Sequence, residues 1–196
     1  AGPLGEPRAD RPASRVSSER YVALLRGINV GGKTLIRMAD LKTCAEELGL
    51  EEVSTYIASG NLLFESAAGR RAALADTIEA AIERHFDLPV KVVVLDRKGY
   101  ARIVRAIPDA WIGDEAVRAN VAFLRPGTDG RQVIRDLHPD PAVEEVKAVS
   151  SAVMWATRRD ALTRSVARKL IGGAAYKELT VRNLNTTLKL HQLLGG

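Results

Sequence analysis

The chain is poor in the residues that staple, stack or bind metal. A single cysteine, Cys44, excludes an internal disulfide, and three histidines, His85, His138 and His191, lie far apart with no ligand-like spacing, which argues against a structural metal site. Aromatic residues make up only 5% of the chain, which argues against a ring-lined surface for single-stranded nucleic acid. No apolar run approaches membrane-spanning length, and no basic-then-apolar export signal opens the chain. These absences predict a cytoplasmic protein with no membrane partner, no metal and no cofactor.

What is present is ordinary bulk with uneven charge. At 196 residues, 46% hydrophobic and 27% charged, the chain can bury a core without staples. The net charge of +5 divides as +1 over residues 1–18, −2 over 19–150 and +6 over 151–196. The basic excess of the last quarter suggests an anionic partner there, although a solvated basic face is the commoner meaning of such a run.

Residues 1–18, rich in proline and glycine, are expected to be a disordered tail. Tyr21–Leu25 reads as a buried strand, and Met38, Leu41, Ala45 and Leu48 recur at helical spacing up to Gly49, with Cys44 a small buried apolar group. Val53–Ala58 and Leu62–Glu65 form a hairpin through Ser59-Gly60-Asn61, residues 69–86 a second helix, and Val90–Asp96 a strand. That order is the split arrangement of ferredoxin-like domains.

A helix over 97–107 leads to a second series. It comprises a strand at 120–124, a helix at 129–137, a hairpin over 143–157, a helix at 160–171, a short strand at 176–179 and a terminal helix capped by Thr180. The topology repeats, but no residue-level repeat is evident. The expected fold class is α+β: two ferredoxin-like βαββαβ halves packed together with mixed or antiparallel sheets. The units run 19–96, 97–118 (connector) and 119–196.

Residues 27–34, GINVGGKT, satisfy the phosphate-loop pattern G-x-x-x-x-G-K-[ST], and VVVLD at 92–96 resembles the strand whose aspartate holds magnesium in such enzymes. A nucleotide kinase or hydrolase is therefore one reading. The hairpin after the first helix counts against it, because phosphate-loop enzymes need crossovers into a parallel sheet. The RNA-recognition reading fails on the third strand, where Asn61 and Leu63 stand in place of stacking rings, although the first strand supplies Tyr21.

Three separated stretches, YVALLRGINVGGKTLIRMADLKTCAEELG, VSTYIASGNLLF and YKELTVRNLNTTLKL, resemble in order the bacterial domain-of-unknown-function family 1697. The resemblance spans about residues 20–194 and implies a fold and a site, but no established activity. It would bring the three motifs to one pocket. Arg26, Asn29, Gly31, Gly32 and Lys33 would come from the first loop, Ser59 and Asn61 from the turn, and Arg182, Asn183, Asn185 and Thr186 from the last helix. Thr34 stands where relatives commonly have Asn, so no role is carried over to it.

Nearly all of these groups donate hydrogen bonds, so the expected ligand is a phosphorylated small molecule or nucleotide. The same groups could instead bond only to main chain and hold the halves together. Non-specific nucleic-acid binding through the basic last quarter is the alternative, with salt dependence as its mark. No Ser-His-Asp or Cys-His set falls among the motif residues, and Glu65 is their nearest carboxylate, so whether the protein is an enzyme is left open.

Overall fold

The computed structural model describes residues 18–32, 35–67 and 71–196. The expected tail therefore lies outside the described residues except for Ser18, which already belongs to β1 (Ser18–Leu25). Then come α1 (Met38–Glu46), the hairpin β2 (Glu51–Tyr56) and β3 (Asn61–Ala67), α2 (Arg71–Phe86), β4 (Val92–Asp96) and α3 (Arg97–Arg105). The second series runs β5 (Val117–Leu124), α4 (Gly130–Leu137), β6 (Glu144–Val149), β7 (Ala152–Arg158), α5 (Val166–Gly172), β8 (Leu179–Asn183) and α6 (Leu184–Leu193). The strands form two four-stranded sheets of order β2-β3-β1-β4 and β6-β7-β5-β8, antiparallel throughout. The fold is α+β with two similar ferredoxin-like halves.

Continuous apolar runs such as YVALL arise because both faces of each sheet are covered. Tyr21, Ala23 and Leu25 pack under α1 and α2, whereas Val22 and Leu24 face a middle layer containing Tyr100 and Ile103 of α3 and Leu184 and Leu190 of α6. Val121 and Phe123 of the second sheet close the same layer from the other side. Ala122, Leu124 and Trp155 face outwards against α4 and α5. Cys44 is buried in α1, and burial raises its thiol pKa.

The halves also repeat at residue level. The Leu25 N–H donates to the Gly60 carbonyl and the Arg26 N–H to Lys91; in the same way Leu124 donates to Ser151 and Arg125 to Glu178. This register aligns Val22–Arg26 with Val121–Arg125, Phe64 with Trp155, Tyr21 with Asn120, and Asp96 with Asn183. The last pair are matching helix caps, Asp96 accepting from Gly99 N and Asn183 from Thr186 N.

Two expected boundaries are corrected. The last strand and terminal helix lie three to four residues later than expected: Thr180 sits within β8, α6 starts at Leu184, and its cap is Asn183. Pairing with β5 draws Thr180–Asn183 into the sheet despite their helical apolar spacing. The expected helix 160–171 is a 3-10 stretch, Arg159–Arg164, followed by α5. Between them Ser165 is extended and caps Ala167 N, while the buried Glu144 carboxylate accepts Val166 N, Ser165 Oγ and Thr157 Oγ1.

Candidate functional site

The motif loop leaves β1 at Arg26 and turns at once. Gly27, Asn29, Gly31 and Gly32 have positive φ, while Ile28 and Val30 do not, so the backbone bends at every second residue from Gly27 to Gly31 and once more at Gly32. Glycine tolerates this, and Asn29 is held there by its own side chain. Its Nδ2 donates to the carbonyls of Ile36 (2.9 Å) and Ala58 (2.7 Å), and its Oδ1 accepts Ile36 N (2.8 Å). One amide thus closes the loop on itself and ties it to the β2–β3 turn. Gly27, Gly31 and Gly32 are exposed, and Val30 and Leu35, 67% and 72% exposed, flank them with Ile57 of the turn. Lys33 and Thr34 lie outside the described residues.

The turn packs against the loop from below. Gly60, at φ +76°, has Leu25 Cβ and Ile28 Cδ1 2.8 Å from where a Cβ would stand. Buried Asn61 donates to the Tyr56 carbonyl and to Ser59 Oγ, and its Oδ1 accepts Arg182 Nε at 2.6 Å. Arg182 reaches from β8 into the first half. Its remaining nitrogens donate to Thr180 Oγ1 and to the carbonyls of Val181, Leu25, Ser59 and Gly60. Burial lowers its pKa to about 10, so it remains a cation at neutral pH, solvated by oxygens rather than by a carboxylate. The same burial drives the Tyr100 phenol well above its usual range.

Arg26 crosses the opposite way. Its Nε donates to the Tyr176 carbonyl at 3.0 Å, and its guanidinium lies 4.6 Å over the Tyr176 ring, but no carboxylate among the described residues pairs with it. The aligned Arg125, which the sequence motifs did not single out, crosses into the first half with acids at both ends. It binds Glu79 and the Val92 carbonyl (3.0 Å), with Glu178 at 3.5 Å. The signal available in the sequence was the shared V-A-x-L-R. Burial alone would raise the Glu79 pKa, but bonds from Val92 N, Arg125 and Lys91 hold it below its usual value.

Arg26, Asn29, Ser59, Asn61 and Arg182 therefore meet around the first glycine loop. The other helix residues do not join them. Asn183, the last residue of β8, and Asn185 just past it are exposed at the far end of the strand, beside Asp114, Glu115, Arg118 and Arg159, and Thr186 is buried in the first turn of α6. Glu65 pairs with Arg20 and accepts Ser18 Oγ. The GINVGGKT spacing sits on an antiparallel sheet, and α1 begins only at Met38, after residues 35–37, which carry no regular structure and end in an extended Arg37. The glycine loop thus does not lead directly into a helix N-terminus. Chemically, the Asn29, Asn61 and Arg182 donors are spent within the protein, and the guanidinium of Arg26 and the exposed glycine amides are the positive charge and donors that face outwards. Among the described residues there is no His/Cys/Asp/Glu group able to hold a metal, and no helix long and apolar enough to cross a membrane.

A conserved bacterial protein, SP0830 from Streptococcus pneumoniae, has a similar solved structure. It shows 30% identity and a TM-score of 0.80, over 91% of this chain and 99% of that one. No curated protein matches. A family model matches residues 18–155, taking in the glycine loop and the SGN turn and stopping short of the RNLNT segment. The chain belongs to the family described as protein of unknown function DUF1697.

Proposed function

We propose that this protein binds an anionic, phosphate-bearing ligand such as a nucleotide at the RGINVGG loop, in the cytoplasm. Arg26 supplies the charge and the exposed loop amides supply further donors. The observation that supports this most directly is the contrast between two aligned arginines. Arg125 is neutralised by Glu79 and Glu178, whereas Arg26 has a carbonyl and a ring but no acid among the described residues. A half-buried guanidinium without a counter-charge beside amides in alternating backbone conformation suits an oxyanion. Exposed Val30, Leu35 and Ile57 offer apolar surface to the rest of such a ligand. In this reading Asn29, Asn61 and Arg182 are frame rather than ligand contacts.

Thermal unfolding with phosphate, pyrophosphate and nucleoside mono- and triphosphates tests it. A ligand at about 100 times its Kd adds about 2.7 kcal/mol, a melting shift of several degrees for a chain of this size. Arg26→Gln should abolish the shift and Arg125→Gln should preserve it despite a lower starting stability. A panel with no shift at all overturns the proposal.

A second reading has one specific observation behind it. Arg97, Lys98, Arg102 and Arg105 line the exposed side of α3 without an ion pair among the described residues. In the basic last quarter Arg158, Arg164 and Lys169 are occupied by Asp160, Asp140 and the carbonyls of Leu137 and His138, whereas exposed Arg168, Lys177 and Lys189 have no ion pair among the described residues. Nucleic-acid binding through this face should be lost on Arg102→Glu with Arg105→Glu and should weaken steeply with salt.

A further inference from the structure

The outer face of the second sheet holds a cavity of about 260 Å³. It exists because the halves differ at one aligned pair. In the first half Tyr21 stacks on Phe64 with ring centroids 5.7 Å apart. In the second half Trp155 takes the place of Phe64, and Asn120, directly opposite it in register, takes the place of Tyr21. The smaller side chain leaves the space that a second ring would fill. Leu170 and Val181 border that space, and Tyr176, the residue under Arg26, closes one side.

Of its polar groups, the Thr157 and Ser165 hydroxyls are spent on the buried Glu144 carboxylate behind the wall, and two on the sheet are unspent. Trp155 is 2% exposed, and its Nε1 donor has no acceptor among the described residues, an uncommon state for a buried indole. The Asn120 side chain makes no hydrogen bond among the described residues either. Arg118, two residues along the same strand face, lies at the rim; it shares the neighbouring hollow with Asp114 and Glu115 but forms no ion pair among the described residues, and no carboxylate lines the cavity itself. One apolar slot, two unspent hydrogen-bonding groups on neighbouring strands and, at the rim, a guanidinium with no ion pair among the described residues make a small binding site distinct from the glycine loop.

We infer that this cavity binds a small aromatic carboxylate: its ring fills the place that Tyr21 fills in the other half, an acceptor oxygen meets Trp155 Nε1 and the Asn120 amide, and Arg118 balances the charge. The volume admits one ring with a short acidic arm and excludes a nucleotide.

The two tryptophans make the test direct. Trp111 Nε1 donates to Glu145 at 3.1 Å, so its indole N–H signal is an internal reference, assigned with Trp111→Phe. Phenylacetate and 3-phenylpropionate, titrated into ¹⁵N-labelled full-length protein, should shift the Trp155 indole resonance saturably and leave Trp111 in place. Asn120→Tyr rebuilds the stack and should abolish the shift at unchanged or higher melting temperature. Arg118→Ala should weaken the acids roughly tenfold, the scale of one charge-assisted hydrogen bond, without changing any binding of phenylacetamide. The inference is overturned if neither acid moves the Trp155 signal, if Asn120→Tyr retains the response, or if the amide binds as tightly as the acid. None of these readouts depends on Arg26, so they stand apart from the glycine-loop assay.

Discussion

Single side chains at the junction do more structural work than their polarity suggests. Gly60 combines a left-handed backbone with neighbours at 2.8 Å, so Gly60→Ala meets both backbone strain and a clash with Leu25 and Ile28. A loss of roughly 2–4 kcal/mol is expected from urea denaturation midpoints. Arg182 occupies the place that Leu95 has in the first half, yet it cannot be exchanged for an apolar residue at low cost. Arg182→Met would strip donors from the carbonyls of Leu25, Ser59 and Gly60 and from Asn61. The expected loss is on the order of 3–5 kcal/mol, with the fold's circular dichroism retained at low temperature.

Among elements, those with an unambiguous period were readable from the sequence, while those set by a partner strand were not. The run YVALL, the helical spacing of Met38 to Leu48 and the SGN turn carry their structure locally. Thr180–Asn183 do not, since Val181, Leu184 and Leu188 fall at helical spacing and only the edge of β5 makes the first part a strand. That shift of a few residues is also why Asn183 and Asn185 stand away from the glycine loop. The repeat is hard to see in the sequence because Val22–Arg26 and Val121–Arg125 are too short to stand out until strand pairing brings their neighbours into register. The β2–β3 turn holds a further element-scale feature: Ile57, a β-branched residue, sits at φ +49° while 49% exposed. Ile57→Asn should raise stability by roughly 1 kcal/mol, read as a rise in melting temperature. If it also weakens phosphate-ligand binding, the exposed isoleucine serves the site.

At the scale of the whole molecule, the two sheets share one middle layer and exchange arginines across it, so the halves should unfold together. Glu79 gives that coupling a pH signature. Its folded pKa lies below the ordinary value of 4.5, so its contribution is complete above that pH and is lost as the pH falls through the depressed folded value. Comparing urea midpoints at about pH 6 and about pH 3 should show a smaller acid loss for Glu79→Gln than for the native chain. Both halves should respond alike, as followed by tyrosine and tryptophan signals. A Trp155 signal indifferent to the Glu79 substitution would mean the second half unfolds on its own.

The crossing made by Arg26 and again by Arg125 is a joint built in duplicate. Redundancy of that kind frees one copy from upkeep. Substitutions around Arg125 and Glu79 are the ones a cell's quality control would cull, whereas Arg26, relieved of a counter-ion, can answer to a visitor without the molecule coming apart.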